Sequence, residues 1–205
     1  MDEKALRMAL GPFCAVVVDW LDGTVQENPD HSGPPMPETH ELLADLRATN
    51  QAGLLTICSQ PGRADQRAFL ECVATPGQAA HLVSALAATG LWTSNWALAD
   101  PPVSVGRVLV TDAEFQSVGT VDAGTVDHDL RGHDRLPNDE AVAGHIRNDV
   151  IGLRNNDVAI AACHYLRVID PVWGRSRLLW DTLAAALASP SWQPSGIDND
   201  SRDVA

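Results

Sequence analysis

Two short segments and one histidine hold the residue types that could do chemistry in this sequence. The first segment is Thr56-Ile57-Cys58-Ser59-Gln60-Pro61-Gly62, which follows an apolar run. Strand ends are where α/β folds commonly place ligand contacts. There Cys58 reads as a nucleophile, Ser59 as an oxyanion donor and Gln60 as an orienting amide. Read as a plain β-turn, the segment needs only Pro61 and Gly62 for its geometry, and Cys58 is a small apolar residue. The second segment is Asp170-Pro171-Val172-Trp173-Gly174-Arg175. It precedes a helix pattern, so Asp170, Arg175 and free backbone N–H groups could face a ligand, with Trp173 stacking on it. In the structural alternative Asp170 caps the turn and Trp173 fills a seam.

His164 is the candidate general base. Neighbours on a strand point to opposite faces, so Cys163 and His164 form no dyad. His164 shares its face with Ala162, Leu166 and Val168, where desolvation keeps the ring neutral at neutral pH. As a core residue, it is simply hydrogen-bonded. A third cluster, Asp127-His128-Asp129, His133-Asp134, Asp139-Glu140 and His145, has metal-ligand types at spacings that fit no H-E-x-x-H unit. It reads as a solvated acidic lid, and no metal is expected.

Composition removes whole classes of function. Lys4 is the only lysine beside 13 arginines. A Walker A loop needs a lysine on its phosphates and a pyridoxal phosphate enzyme needs one for its Schiff base, so both are excluded, with protein kinases and lysine-nucleophile aldolases. The formal net charge is −13 and the arginines of residues 131–154 are interleaved with aspartates, so no basic stripe exists for nucleic acid. No G-x-G-x-x-G or G-x-S-x-G occurs. The four cysteines show no C-x-x-C spacing, no apolar run approaches a membrane span, and the first residues lack a leader pattern. A cytoplasmic protein with reduced thiols is expected.

The elements that must position these residues follow from periodicity and punctuation. Residues 13–21 are apolar apart from Asp19 and read equally as helix or strand. A helix opens at Pro37 and is stopped by Gly53; Leu54–Cys58 is a strand, Ser59–Gly62 a tight turn, and Gln66–Ala74 a strand. Thr75-Pro76-Gly77-Gln78 is a capping box that starts a helix ending at Gly90. Strands follow at Leu91–Ala99, Arg107–Asp112 and Phe115–Val121, then a loop over 122–137 and a helix from Asn138 to Leu153. Val158–Asp170 is the longest strand pattern, and a helix runs from Ser176 to Ala188. The expectation is a single α+β domain over residues 1–188, a mixed β-sheet with helices packed on it, and a disordered acidic tail over 189–205. The two segments should lie side by side, because each ends a strand that reads as central.

Trp20-Leu21-x-Gly23, Glu38-Thr39, Asn50-x-x-Gly53, Ser59-Gln60-Pro61-Gly62, Gln66-Arg67-Ala68 and Val168-x-Asp170-Pro171-x-Trp173-Gly174-Arg175 together resemble an uncharacterised domain family of actinobacteria of the Streptomyces type. The resemblance spans about residues 18–75 and 166–183. It implies that the two segments belong to a shared framework, that residue 58 varies among members, and, since residues 76–165 match poorly, that the acidic His-rich loop over 127–145 is particular to this chain. It implies no activity. The residues themselves lead to a small-molecule-processing enzyme of specialised metabolism. It would use acid–base chemistry (hydrolysis, isomerisation or cyclisation), with His164, Asp170 and Gln60 reacting and Cys58, Ser59, Trp173 and Arg175 binding. No dinucleotide or other cofactor, nucleic acid or membrane is expected. The alternative is a non-enzymatic acidic protein, of the immunity or anti-defence type, that engages a basic partner.

Overall fold

The computed structural model describes residues 2–28, 32–100, 106–111, 115–118, 135–136 and 159–192. The ambiguous N-terminal run is helical: α1 spans Glu3–Leu21, capped by Asp2, whose side chain accepts from the Ala5 N–H at 2.7 Å. Leu6, Leu10, Cys14, Val17 and Leu21 form its buried stripe, at helical spacing. That stripe decides against a strand for Val16–Val18, and Pro12 is tolerated on the exposed side. A 3-10 turn, Pro37–Leu42, leads into α2, Leu43–Gln51. Gly53, at φ +85°, then lets the chain reverse into β1, Leu55–Gln60.

β2 spans Phe69–Ala74 and is followed by α3, Pro76–Ala87. The expected capping box is formed in both directions between Thr75 and Gln78. Glu3 of α1 reaches the same helix start, bonding the Thr75 hydroxyl and accepting from the Gly77 N–H. Next come β3, Trp92–Ala97; β4, Gly106–Leu109; β5, Phe115–Val118; β6, Arg135–Leu136; β7, His164–Ile169; and α4, Leu178–Leu187. β6 lies in the stretch expected to be loop. The expected Asn138–Leu153 helix and the remaining residues of the 127–145 acidic cluster lie outside the described residues. Residues 159–163 do not extend the strand as expected: a 3-10 turn at Ile160–Ala162, closed by Cys163 N–H to Ile160 C=O, delays it to His164, and Val158 lies outside the described residues.

The main sheet has the order β1-β2-β7-β3, and every pairing is antiparallel. This corrects the mixed sheet expected from sequence. β2 and β3 do run parallel around α3, but β7 arrives from far along the chain and pairs with both, separating them. A second sheet has the order β5-β4-β6. Alternation along β2 and β7 sends Leu70, Cys72, Leu166 and Val168 to one face, where they join the apolar stripes of the helices: Leu10, Leu46, Leu82, Leu86, Leu179 and Leu183. The architecture is a single α+β domain. Packing continues past residue 188: Trp192 is buried and its indole N–H donates to the Ala52 carbonyl, so the first residues of the expected tail are part of the domain. Residues 193–205 lie outside the described residues.

Candidate functional site

β1 runs through Ser59 and Gln60, so the expected tight turn there is instead strand. Arg63 and Gln66 exchange backbone hydrogen bonds, and the chain reverses between them. The two segments do lie side by side. Gly62 sits so close to the second segment that a Cβ there would fall 2.4 Å from the Arg175 carbonyl oxygen. The Gly174 N–H donates to Gln66 C=O, and the Asp170 N–H to Ala68 C=O.

Their polar groups hold one another. The Gln60 amide donates to the carbonyls of Arg67 (2.9 Å) and Val110 (3.1 Å). Asp170, fully buried, accepts from the Val172 N–H at 2.9 Å and from Nε and Nη2 of Arg175 at 2.7 Å each. Those hydrogen bonds raise the Arg175 pKa. The Arg67 guanidinium lies over Trp173 (4.6 Å) and Trp92 (5.3 Å), and its Nε donates to Pro171 C=O. Trp173 therefore stacks on a side chain of its own protein. Three donors on this carboxylate, two of them from a guanidinium, engage both of its oxygens within the protein. The arrangement is a clamp.

His164 does not join it. It begins β7 while Asp170 follows its end, about 20 Å away at the usual rise per residue. Its Nδ1 lies 2.8 Å from the Asn95 amide oxygen, and partial burial lowers its pKa, so the ring is neutral at neutral pH. It shares the helix-covered face of Leu166 and Val168, whereas Cys58 is in register with Glu71 on the other face, so His164 cannot serve Cys58 as a base. The three residues expected to react are thus not one constellation: Gln60 and Asp170 are at one end of the sheet and His164 at the other.

The second face carries a constellation that the sequence reading missed. Cys58, Glu71, Arg167 and Ser94 are in register across all four strands. Apolar rows flank this polar rung: Phe69, Ile169 and Trp92 on one side, Val73, Tyr165 and Trp96 on the other. The rung runs from exposed Cys58 to fully buried Ser94. Arg167 Nη2 forms an ion pair with Glu71 Oε1, and the two side chains are 1% and 8% exposed. The Tyr165 hydroxyl hydrogen-bonds to both partners. Burial, then the Glu71 charge, pushes the Tyr165 pKa well above 10, so the phenol stays protonated. Burial opposes the charge on Arg167, but Glu71 and Tyr165 outweigh it and the pKa rises.

This network is incompletely partnered. Among the described residues no acceptor meets Nε or Nη1 of Arg167, the Ser94 hydroxyl or the Trp92 indole N–H, and all are shielded from solvent. A buried donor without an acceptor costs about 1–3 kcal/mol. Such groups accumulate where something other than stability is served. The signal was present in the sequence: one acid and one base, each at the centre of an apolar strand, in Phe69-Leu70-Glu71-Cys72-Val73 and Tyr165-Leu166-Arg167-Val168-Ile169.

A bulge at Ile57 shifts the β1 register just before Cys58. Bulges re-aim side chains, often beside functional sites. Along this edge a groove of about 240 Å³ is lined by Trp20, Met36, Glu38, Thr39, Cys58 and Ser59, among others. Cys58 and Ser59 line this groove, and the Asp170 segment is not part of it. Burial pushes the Cys14 and Cys72 thiols up to about 12. Among the described residues no three His, Cys, Asp or Glu side chains gather as a metal site, and no helix is long and apolar enough to cross a membrane.

No curated protein matches the chain. A family model does, over residues 3–190, a span that takes in the clamp, the rung and the groove. The chain belongs to that family, described as Domain of unknown function (DUF6919).

Proposed function

We propose that the chain is a small-molecule-processing enzyme that uses acid–base chemistry on the second face of its sheet. The observation that carries this reading is the buried Arg167 guanidinium, paired on one side with Glu71 and with two nitrogens left without an acceptor. Arg167 holds the substrate, Glu71 accepts its proton, and the Tyr165 phenol, kept neutral by burial, returns one. Neither dinucleotide nor pyridoxal phosphate enters this scheme. The setting we favour is the cytoplasm of an actinobacterium and its specialised metabolism, supported by the preference for arginine over lysine and the shared framework motifs.

Mass spectrometry of a host metabolite extract incubated with the protein tests the reading. One small molecule should be consumed by the native chain and not by folded Glu71→Gln. An extract left unchanged, or consumed equally by the variant, overturns it. The net charge of −13 favours a second reading, an acidic partner for a basic protein. Capture of such a protein that weakens steeply with salt, with no metabolite consumed, would select it.

A further inference from the structure

We propose that the face around Arg167 and Ser94 binds an uncharged carbonyl oxygen of a small molecule, such as that of an amide, ester or lactone. The inference rests on the enzyme reading above and specifies its substrate class.

The donors awaiting an acceptor are Nε and Nη1 of Arg167, the Trp92 indole N–H and the Ser94 hydroxyl, and the one acceptor beside them, Glu71 Oε1, has the Arg167 ion pair in place of a hydrogen bond. Arginine and indole nitrogens only donate, and a hydroxyl can donate. Ser94 is in register with Arg167 on the adjacent strand, and Trp92 is two residues along β3 on the same face. Strand spacing and rise place these backbone positions within about 5 Å by 7 Å. A patch that small, with four donor atoms on it, fits an acceptor atom. Its charge decides between the two common acceptors. Glu71 already neutralises Arg167 in a buried pair. A second carboxylate would bring an uncompensated negative charge into the same low-dielectric space, which is costly. A neutral carbonyl satisfies the donors without that penalty. Trp92 and Ser94 also belong to β3 and Arg167 to β7, so the ligand would bridge the two strands that meet last in sequence.

The test titrates isotope-labelled protein with N,N-dimethylacetamide, an acceptor without a donor, and separately with sodium acetate at matched ionic strength. The readout is the Trp92 indole N–H resonance, assigned with Trp92→Phe. Dimethylacetamide should shift it saturably and bind more tightly than acetate. Ser94→Ala, which keeps the ion pair, should weaken that binding about fivefold, the loss of one neutral hydrogen bond. A resonance unmoved by dimethylacetamide, as when water already fills the donors, overturns the proposal, as does affinity unchanged in Ser94→Ala. Tighter binding of acetate overturns the ligand class. The titration needs no turnover, so each of these failures is distinct from failure of the enzyme reading, which rests on metabolite consumption by the native chain and its loss in Glu71→Gln.

Discussion

The clamp and the rung are built from the same parts and differ in what they leave undone. Each has an arginine paired with a buried carboxylate, a second polar partner and tryptophans alongside. In the clamp the Arg175 side chain is 38% exposed and Asp170 has an N–H on every side that needs one. In the rung both charges are buried and two guanidinium nitrogens lack acceptors. A pair whose buried carboxylate is fully engaged fixes geometry, while one with buried donors left over holds geometry ready for something else. Of the residues that look reactive in sequence, Gln60 and Asp170 fall on the clamp, Cys58 on the rung and His164 on neither, and the donors with unmet bonding capacity fall on the rung.

The contrast can be broken first at Glu71. Glu71→Gln leaves a buried guanidinium without its counter-charge and should lower stability by about 3–5 kcal/mol in urea unfolding. Replacing both partners, Glu71→Met with Arg167→Met, should recover most of that loss or exceed the native stability. A double variant as unstable as the single would show that the rung holds the fold as the clamp does. Asp170→Asn should cost less, about 1.5–3 kcal/mol, because the stranded Arg175 can turn to water. A larger loss than for Glu71→Gln would reverse the comparison. Gly62→Ala drives a Cβ into the Arg175 carbonyl and should cost about 1–3 kcal/mol by overpacking, measured as a fall in Tm, with ligand titrations at Trp92 unchanged.

The smallest effect is a pH dependence at His164. Its folded pKa is lowered by desolvation, so the folded state binds fewer protons than the unfolded state. Its contribution is full above the unfolded value of 6.5 and is lost as pH falls through the folded pKa. Tm should therefore drop on acidification below that value, less steeply in His164→Asn. Equal slopes would mean that the histidine contributes nothing to the acid limb.

What could be read from residues alone divides along the same line. The capping box at Thr75, the stop at Gly53 and the contact between the two motif segments were legible, because each is set by local chemistry or by where a strand must end. The helical reading of residues 13–21 was not, since Val16–Val18 suits either state until the stripe from Leu6 to Leu21 finds a partner. Nor was the antiparallel sheet, which depends on β7 entering from far along the chain. At the site, the sequence named chemically able residues but could not say which hydrogen bonds were already made. Gln60 and Asp170 are engaged by backbone and arginine partners that only the fold brings near. The rung needed the register of four strands, although its acid and base each stood out against apolar neighbours.

The position of β7 also sets a timetable for synthesis. Among the described residues β2 and β3 do not pair with each other, and the strand that lies between them in the sheet begins 67 residues after β3 ends. At common elongation rates a ribosome takes about 3 to 13 s to reach it. For that interval Phe69–Ala74 has a free edge and no strand to close it. A nascent chain halted before His164 should then be cut readily by protease within residues 69–97, while one that has released Ile169 should resist. The newborn protein is thus most open to misassociation in the middle of its translation, and the strand that supplies Arg167 is also the one that ends the exposure.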